Sequence, residues 1–153
     1  MWEVEIYIQT DSIAPKTLKR KFGYRLECTT QSGKTHSRQE TGEIEGTLHQ
    51  ATLTAINTAL GRLNQSCTVH IYTEDRFICN MFASRLDGWA RNGWKTSRGD
   101  EVENREEWET LWRLTKGQLA RMVPGRHKYS DLLALEMQAG VTEAQSKEEK
   151  KDV

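Results

Sequence analysis

The stretch that decides the fold class is residues 47–75, TLHQATLTAINTALGRLNQSCTVHIYTED. Its first part carries apolar residues at a helical spacing and begins with Thr47, a residue type that caps helices well. After Gly61 the pattern changes to the alternation of a β-strand, Cys67–Thr73, which ends at the acidic pair Glu74 and Asp75. A helix that leads directly into such a strand predicts an α/β domain.

Upstream, three further segments are predicted to be strands. Residues 2–10, WEVEIYIQT, place Trp2, Val4, Ile6 and Ile8 on one face. Residues 22–30 and 35–41 follow, and we expect Gly42 and Gly46 to break the chain after the third strand. Three consecutive strands joined by short turns predict an antiparallel meander.

Downstream, the predicted elements are a helix over residues 76–89, a helix over 106–118, a strand over 119–123 and a helix over 131–138. The order is βββ-α-β-α-α-β-α, and strands joined by helical crossovers pair in parallel. We therefore expect a mixed five-stranded sheet flanked by helices. Residues 1–139 would form the domain, and residues 140–153, which are polar, would be disordered.

Composition restricts the class of protein. The chain has 36% hydrophobic and 29% charged residues and no apolar run long enough for a membrane helix. We therefore expect a cytoplasmic protein without membrane contact. We also expect a monomer. Three cysteines without CxxC spacing favour a reducing compartment over a disulfide or zinc framework. The net charge of zero means that any nucleic-acid surface must be a local basic patch.

Three acidic residues follow or flank predicted strands where an α/β sheet gathers its ligands. Asp11 follows the first strand, Glu74 follows the fourth, and Asp131 opens the last helix. Converging carboxylates repel one another unless cations neutralise them, and hard oxygen ligands favour Mg²⁺ or Mn²⁺. Each residue taken alone is more typical of a solvated turn or a helix cap.

Several segments together resemble type 1 ribonuclease H, over residues 4–137. VEIYIQTDS is similar to the family strand that ends in TDGS, HIYTED to the strand that ends in TDS, and SDLLALEM to the D-x-L-A helix. WARNGWKTSRGDEVENREEWETLW, residues 89–112, is similar to the family's W-x-x-x-GWKT-x-x-x-x-x-V-x-N-x-x-LW segment. The resemblance implies a ribonuclease H-like fold and a metal-dependent endonuclease that cuts the RNA strand of RNA/DNA hybrids. It places Asp11, Glu74 and Asp131 as catalytic ligands of Mg²⁺ or Mn²⁺.

The site departs from the family pattern. Thr52 stands where the family has a glutamate, and a hydroxyl is a poor Mg²⁺ ligand. His49, Glu43 or Glu45 is an alternative source of the missing ligand, although an ordinary exposed histidine in the first helical turn is the simpler interpretation of His49. Glu74 replaces an aspartate, which shifts the carboxylate by about 1 Å.

Two loops also differ. The glycine-rich loop after the first strand is replaced by IAPKTLKRK, whose Lys16, Lys19 and Arg20 either contact phosphates or form a solvated charge run. In the shortened PGRHKYS segment, His127 is the candidate for the family's mobile histidine, which acts in proton transfer or product release, or else it is a bystander.

A basic handle, residues 76–98, corresponds to the family protrusion that grips the DNA strand. Its arginines and lysine would neutralise phosphates while its tryptophans contact sugars. The candidate nucleic-acid ligands here are Arg85, Trp89, Arg91, Trp94 and Lys95.

Three hypotheses remain from the sequence. The first is an active hybrid endonuclease, with activity reduced by Thr52. The second is a catalytically inactive relative that binds hybrid or other nucleic acid, and the third is a nuclease of the same fold with another substrate.

Overall fold

A mixed five-stranded sheet forms the centre of the computed structural model, which describes residues 2–139. The predicted disordered tail, residues 140–153, lies outside the described residues. The elements in chain order are β1 Trp2–Thr10, β2 Leu18–Thr29, β3 Thr35–Gly46, α1 Leu48–Leu60, β4 Cys67–Thr73, α2 Arg76–Ser84, α3 Leu86–Arg91, α4 Arg105–Thr115, β5 Leu119–Pro124 and α5 Ser130–Ala139.

The strand order is β3-β2-β1-β4-β5. β1 pairs antiparallel with β2, and β2 pairs antiparallel with β3. β1 pairs in parallel with β4, with Tyr7 opposite Tyr72, and β4 pairs in parallel with β5. The mixed sheet predicted from the sequence is confirmed, and the carboxyl ends of β1, β4 and β5 meet at one edge.

The main core lies between one face of the sheet and α1. Val4, Ile6 and Ile8 of β1 are at most 1% exposed and pack with buried residues of α1 such as Leu53 and Ile56. Complete burial of such side chains contributes about 1.5–3 kcal/mol each, which explains why the apolar alternation fixes the register of the central strand.

The opposite face of the sheet is covered by α5 near the carboxyl end of β1. Leu133 of α5 is buried beside Gly23, and Lys21 Nζ donates to the backbone oxygen of Met137 at 3.2 Å. Tyr7 and Gln9, which face this side, are therefore buried as well. This packing positions Asp131, at the start of α5, close to the ends of the parallel strands.

The predicted break at Gly42 was wrong, because β3 continues past it, whereas the strand does end at Gly46. A Cβ at position 42 would lie 2.5 Å from Cζ of Phe22, so glycine there lets the buried Phe22 ring lie flat against the strand. β2 likewise begins at Leu18, four residues before the predicted start.

The helix predicted over residues 76–89 is divided. α2 ends at Ser84 and α3 begins at Leu86, with Arg85 between them at φ −120° and ψ −27°. Asp75 caps α2, since its Oδ1 accepts from the backbone N–H of Ile78 at 3.2 Å. Thr47 caps α1 as predicted, with its hydroxyl accepting from the N–H of Gln50.

Cys28, Cys67 and Cys79 are free and buried. Burial raises the pKa of Cys28 and of Cys79 to about 11, so neither thiol ionises near neutral pH. None of the helices within residues 2–139 has the length and apolar character that a membrane span requires.

Candidate active site

The site is built at the edge where the parallel strands end. Asp11 directly follows β1 and Glu74 directly follows β4. The parallel register places Gln9 beside Glu74, and Gln9 Nε2 donates to Glu74 Oε1 at 2.8 Å. Two of the predicted acidic residues therefore extend from neighbouring strands at the same edge.

Arg126 joins two of the three predicted carboxylates. Its Nη1 lies 3.8 Å from Oε1 of Glu74, and its Nη2 donates to Oδ1 of Asp131. The Asp131 side chain is 95% exposed, and that of Glu74 is 29% exposed. The structure therefore brings Glu74 and Asp131 together around one cation from the β5–α5 loop, a contact that sequence reasoning missed.

Asp11 is exposed and lines a neighbouring cleft of about 470 Å³. Its backbone N–H donates to the oxygen of Lys21 at 3.1 Å, which fixes the chain as it leaves the sheet. Glu43 and Glu45, two of the three suggested substitutes for the missing ligand, line the same cleft.

Thr52 is 1% exposed, and its hydroxyl donates to the backbone oxygen of Leu48 at 3.0 Å. It borders a cavity of about 150 Å³ that Gln9, Glu74 and Asp75 also line. The cavity is a space at the sheet edge into which a longer acidic side chain at position 52 would extend.

His49, the third suggested substitute, is bound to Asp75. Its Nδ1 lies 2.8 Å from Asp75 Oδ2, and its ring lies against Phe77, with ring centroids 4.5 Å apart. The hydrogen bond to Asp75 raises the pKa of His49. Its Nδ1 is thus already engaged by Asp75.

Both ring nitrogens of His127 are engaged. Nε2 lies 2.8 Å from the backbone oxygen of Ile8, and Nδ1 accepts from the N–H of Tyr129 at 3.2 Å. Burial lowers the pKa of His127, so the ring is neutral at neutral pH. The structure thus shows His127 as a link between the β5–α5 loop and β1, beside the acidic residues.

Arg20 is placed differently from the sequence expectation. It is 1% exposed, and its guanidinium donates to backbone oxygens of Gly46, Ser12, Ala14 and Lys16. A guanidinium whose N–H groups are bonded to backbone carbonyl oxygens does not reach a phosphate. The prediction that Arg20 binds nucleic acid was therefore wrong, and Arg20 instead holds the loop after Asp11 in place. Lys16 and Lys19 of the same segment are exposed.

The basic handle presents its cations but packs its tryptophans inward. Arg85, Arg91 and Lys95 are exposed. Trp94 is 9% exposed and lies edge-on to Trp112 at 6.2 Å between centroids, while the half-buried Trp89 lies edge-on to Trp108 at 5.3 Å. The two indoles expected to contact sugars thus pack largely against tryptophans of α4, of which Trp108 is in the core.

The donor chemistry at this edge fits a hard divalent cation, although the side chains are spread out. Within residues 2–139, no three acidic, histidine or cysteine side chains lie close enough together to hold one metal ion. The edge nevertheless carries Asp11, Glu74 and Asp131, together with the buried amide oxygen of Gln9, which has no hydrogen-bond partner in the described part of the chain. Such oxygens are the ligands that Mg²⁺ and Mn²⁺ prefer.

A family model for RNase H matches residues 3–125, most of the chain. The chain belongs to the RNase H family. The match includes Asp11, Thr52 and Glu74 and ends before His127 and Asp131.

Curated relatives agree with the family. The chain is 36% identical over 75 residues to ribonuclease HI of Xylella fastidiosa, covering 49% of this chain and 50% of that protein. It is 36% identical over 86 residues to ribonuclease H of Xanthomonas campestris, covering 50% of this chain and 57% of that protein. The chain thus spans about half the length of the curated RNase H relatives it matches.

Solved structures share the fold. The type 1 RNase H named LC9-RNase H1, described as having the type 2 active-site motif, matches with a TM-score of 0.60 at 19% identity, covering 92% of this chain and 74% of that one. A foamy viral protease-reverse transcriptase in complex with RNA/DNA hybrid matches with a TM-score of 0.63 at 13% identity, covering 92% of this chain and 20% of that one. The expected RNase H fold is confirmed.

Proposed function

We propose that this chain is a divalent-metal-dependent endonuclease that hydrolyses the RNA strand of RNA/DNA hybrids. The observation that carries the proposal is the convergence of Glu74 and Asp131 on Arg126, at the sheet edge where β1 ends at Asp11. RNase H family membership supports the reaction class. The foamy viral relative in complex with RNA/DNA hybrid supports the substrate class.

Asp11, Glu74 and Asp131 would hold Mg²⁺ or Mn²⁺. Such ions, when bound, activate water and stabilise developing charge on a phosphodiester. The chain's own residues supply the rest: the exposed cations of the basic handle and Lys16 and Lys19 would neutralise phosphates. Proton transfer by His127 remains a prediction, because the ring would have to leave Ile8 and Tyr129 to perform it.

The test is cleavage of a hybrid whose RNA strand is end-labelled, in Mg²⁺ or Mn²⁺, with duplex RNA, duplex DNA and chelator as controls. We expect cutting of the RNA strand of the hybrid alone. Cutting of either control duplex would instead favour a nuclease with another substrate. Failure to bind or cut the hybrid would contradict the proposal.

A second candidate function is hybrid binding without catalysis. It is favoured by Thr52, whose buried hydroxyl is committed to Leu48, and by the spread of the acidic side chains. Tight binding of the hybrid by an equilibrium assay, with no cleavage in either metal, is the result that would select it.

Arg126 competes with a metal for Glu74 and Asp131. We expect Arg126→Ala to bind Mn²⁺ about fivefold more tightly, because it removes a cation worth ~1 kcal/mol at an exposed pair. Isothermal titration of the metal-free protein would measure this, with the exposed Arg98→Ala as a matched control. Weaker binding by Arg126→Ala would contradict the expectation.

A further inference from the structure

Gln9 presents an unused ligand atom at the site. The residue is 8% exposed, and its Nε2 donates to Glu74 Oε1 at 2.8 Å and to the backbone oxygen of Thr10 at 3.4 Å. Within the described residues, its Oε1 is buried and has no hydrogen-bond partner. A buried carbonyl oxygen without a partner is costly and therefore calls for an explanation.

The position of the amide matches the spacing of metal ligands. Adjacent ligands of an octahedral Mg²⁺ ion, with bonds of about 2.1 Å, lie roughly 3.0 Å apart. Gln9 Nε2 and Glu74 Oε1 are separated by a similar 2.8 Å. Rotation of the amide by half a turn would place Oε1 at the present position of Nε2, beside the Glu74 oxygen.

Hydrogen bonding explains why the amide nitrogen of Gln9, and not its oxygen, faces Glu74 when no metal is bound. A carboxylate accepts hydrogen bonds, so Glu74 selects the N–H side of Gln9. A cation on Glu74 repels that N–H and attracts the carbonyl oxygen instead. After the rotation, Nε2 would occupy the present position of Oε1, which has no hydrogen-bond partner within the described residues.

Thr52 leaves the site one oxygen ligand short, and Gln9 is close by. Both residues line the cavity that also contains Glu74. The Thr52 hydroxyl donates to Leu48, whereas the Gln9 carbonyl oxygen has no hydrogen-bond partner among residues 2–139. An amide oxygen is a hard, neutral ligand that suits Mg²⁺ and Mn²⁺.

We propose that Gln9 is a metal ligand of this chain, supplying through Oε1 an oxygen beside Glu74 in place of the one that Thr52 does not provide. This rests on the proposed function, since it presumes that a divalent cation binds at the edge with Asp11 and Glu74.

The alternative role for Gln9 is structural, as a donor that holds Glu74 in place. Both roles allow weaker metal binding when the amide is lost, because a donor that orients a metal ligand also supports affinity. The number of water molecules on the bound Mn²⁺ separates the two roles. If Oε1 is a ligand, its loss adds one bound water, and if the amide only donates to Glu74, its loss adds none.

The experiment measures Mn²⁺ binding by the metal-free full chain, from the electron paramagnetic resonance signal of free Mn²⁺. We expect Gln9→Met to weaken binding about tenfold, in the range by which loss of a metal-site partner lowers affinity. Gln39→Met is the matched control, because Gln39 is 3% exposed on β3 and is bonded to Arg25. The control is expected to bind as the wild type does.

Two results would overturn the inference while leaving the proposed function standing, provided that the wild type binds Mn²⁺: equal or tighter binding by Gln9→Met, or weaker binding with no added water on the bound Mn²⁺. Failure of the wild type to bind Mn²⁺ would overturn both. Should Gln9→Met fail to fold, Gln9→Asn provides the same test. It keeps a polar amide but withdraws the oxygen by one methylene, and it is expected to weaken binding as well.

Discussion

Replacement of Asp11 by asparagine is expected to reduce hybrid cleavage about 10³-fold while the fold remains intact. The carboxylate at the end of β1 would carry charge that a metal requires, and metals contribute several kcal/mol of transition-state stabilisation. A loss of ~4 kcal/mol corresponds to about a thousandfold in rate. Because Asp11 is exposed and its backbone N–H makes the contact to Lys21, the substitution leaves the packing unchanged.

The measurement is single-turnover cleavage of the labelled hybrid, together with thermal unfolding of both proteins. Asp87→Asn, an equal loss of charge at an exposed position in the basic handle, is the control and is expected to retain cleavage. Full activity of Asp11→Asn would show that the site has been assigned to the wrong edge of the sheet.

Thr52→Glu is expected to raise Mn²⁺ affinity and the cleavage rate, each by about 10- to 100-fold. Thr52 borders the cavity beside Glu74, which offers about 150 Å³ for a longer side chain. Without metal, the added carboxylate is buried near Glu74, so the variant should unfold at a lower temperature than the wild type. Mg²⁺ should then stabilise the variant more than it stabilises the wild type.

Thr54→Glu is a matched control for this gain. Thr54 lies on the same helix and makes the same type of bond, from its hydroxyl to the Gln50 oxygen at 2.7 Å, but it does not border the cavity. We expect no gain from it in cleavage or in metal affinity. A Thr52→Glu protein that folds yet shows no gain in either would argue that position 52 is not part of the site.

The strands that carry the site were predictable because burial of one sheet face makes apolar residues recur at every second position. β1 and β4 have the bounds read from the sequence, Trp2–Thr10 and Cys67–Thr73, and their acidic ends follow from those bounds. Parallel pairing of β1 with β4 then places Asp11 and Glu74 at one edge. The fold and the edge therefore follow from local patterns.

Arg20 shows where local patterns were misread. Even-numbered residues of β2 from Leu18 to Cys28 face one side, and position 20 falls among them. Starting the strand at Phe22 removed Arg20 from this pattern and made it look like part of a solvated charge run. The alternation was the available signal, and a strand start at Leu18 would have placed Arg20 inside.

Other contacts of the site had no sequence signal. Arg126 reaches Glu74 and Asp131 only because the β5–α5 loop folds back over the sheet edge. The Gln9 carbonyl oxygen, which has no partner in the part of the chain that the structure describes, is set by which side of its amide faces Glu74. Both contacts depend on side-chain directions in three dimensions, which spacing along the chain does not specify.

The edge-on packing of Trp89 and Trp94 against α4 has a consequence for association. Because these rings are already held, the handle would lose little conformational entropy when it meets a duplex. Its contribution to affinity would then come mainly from counterions released from the phosphates, so binding through it should weaken steeply as ionic strength rises.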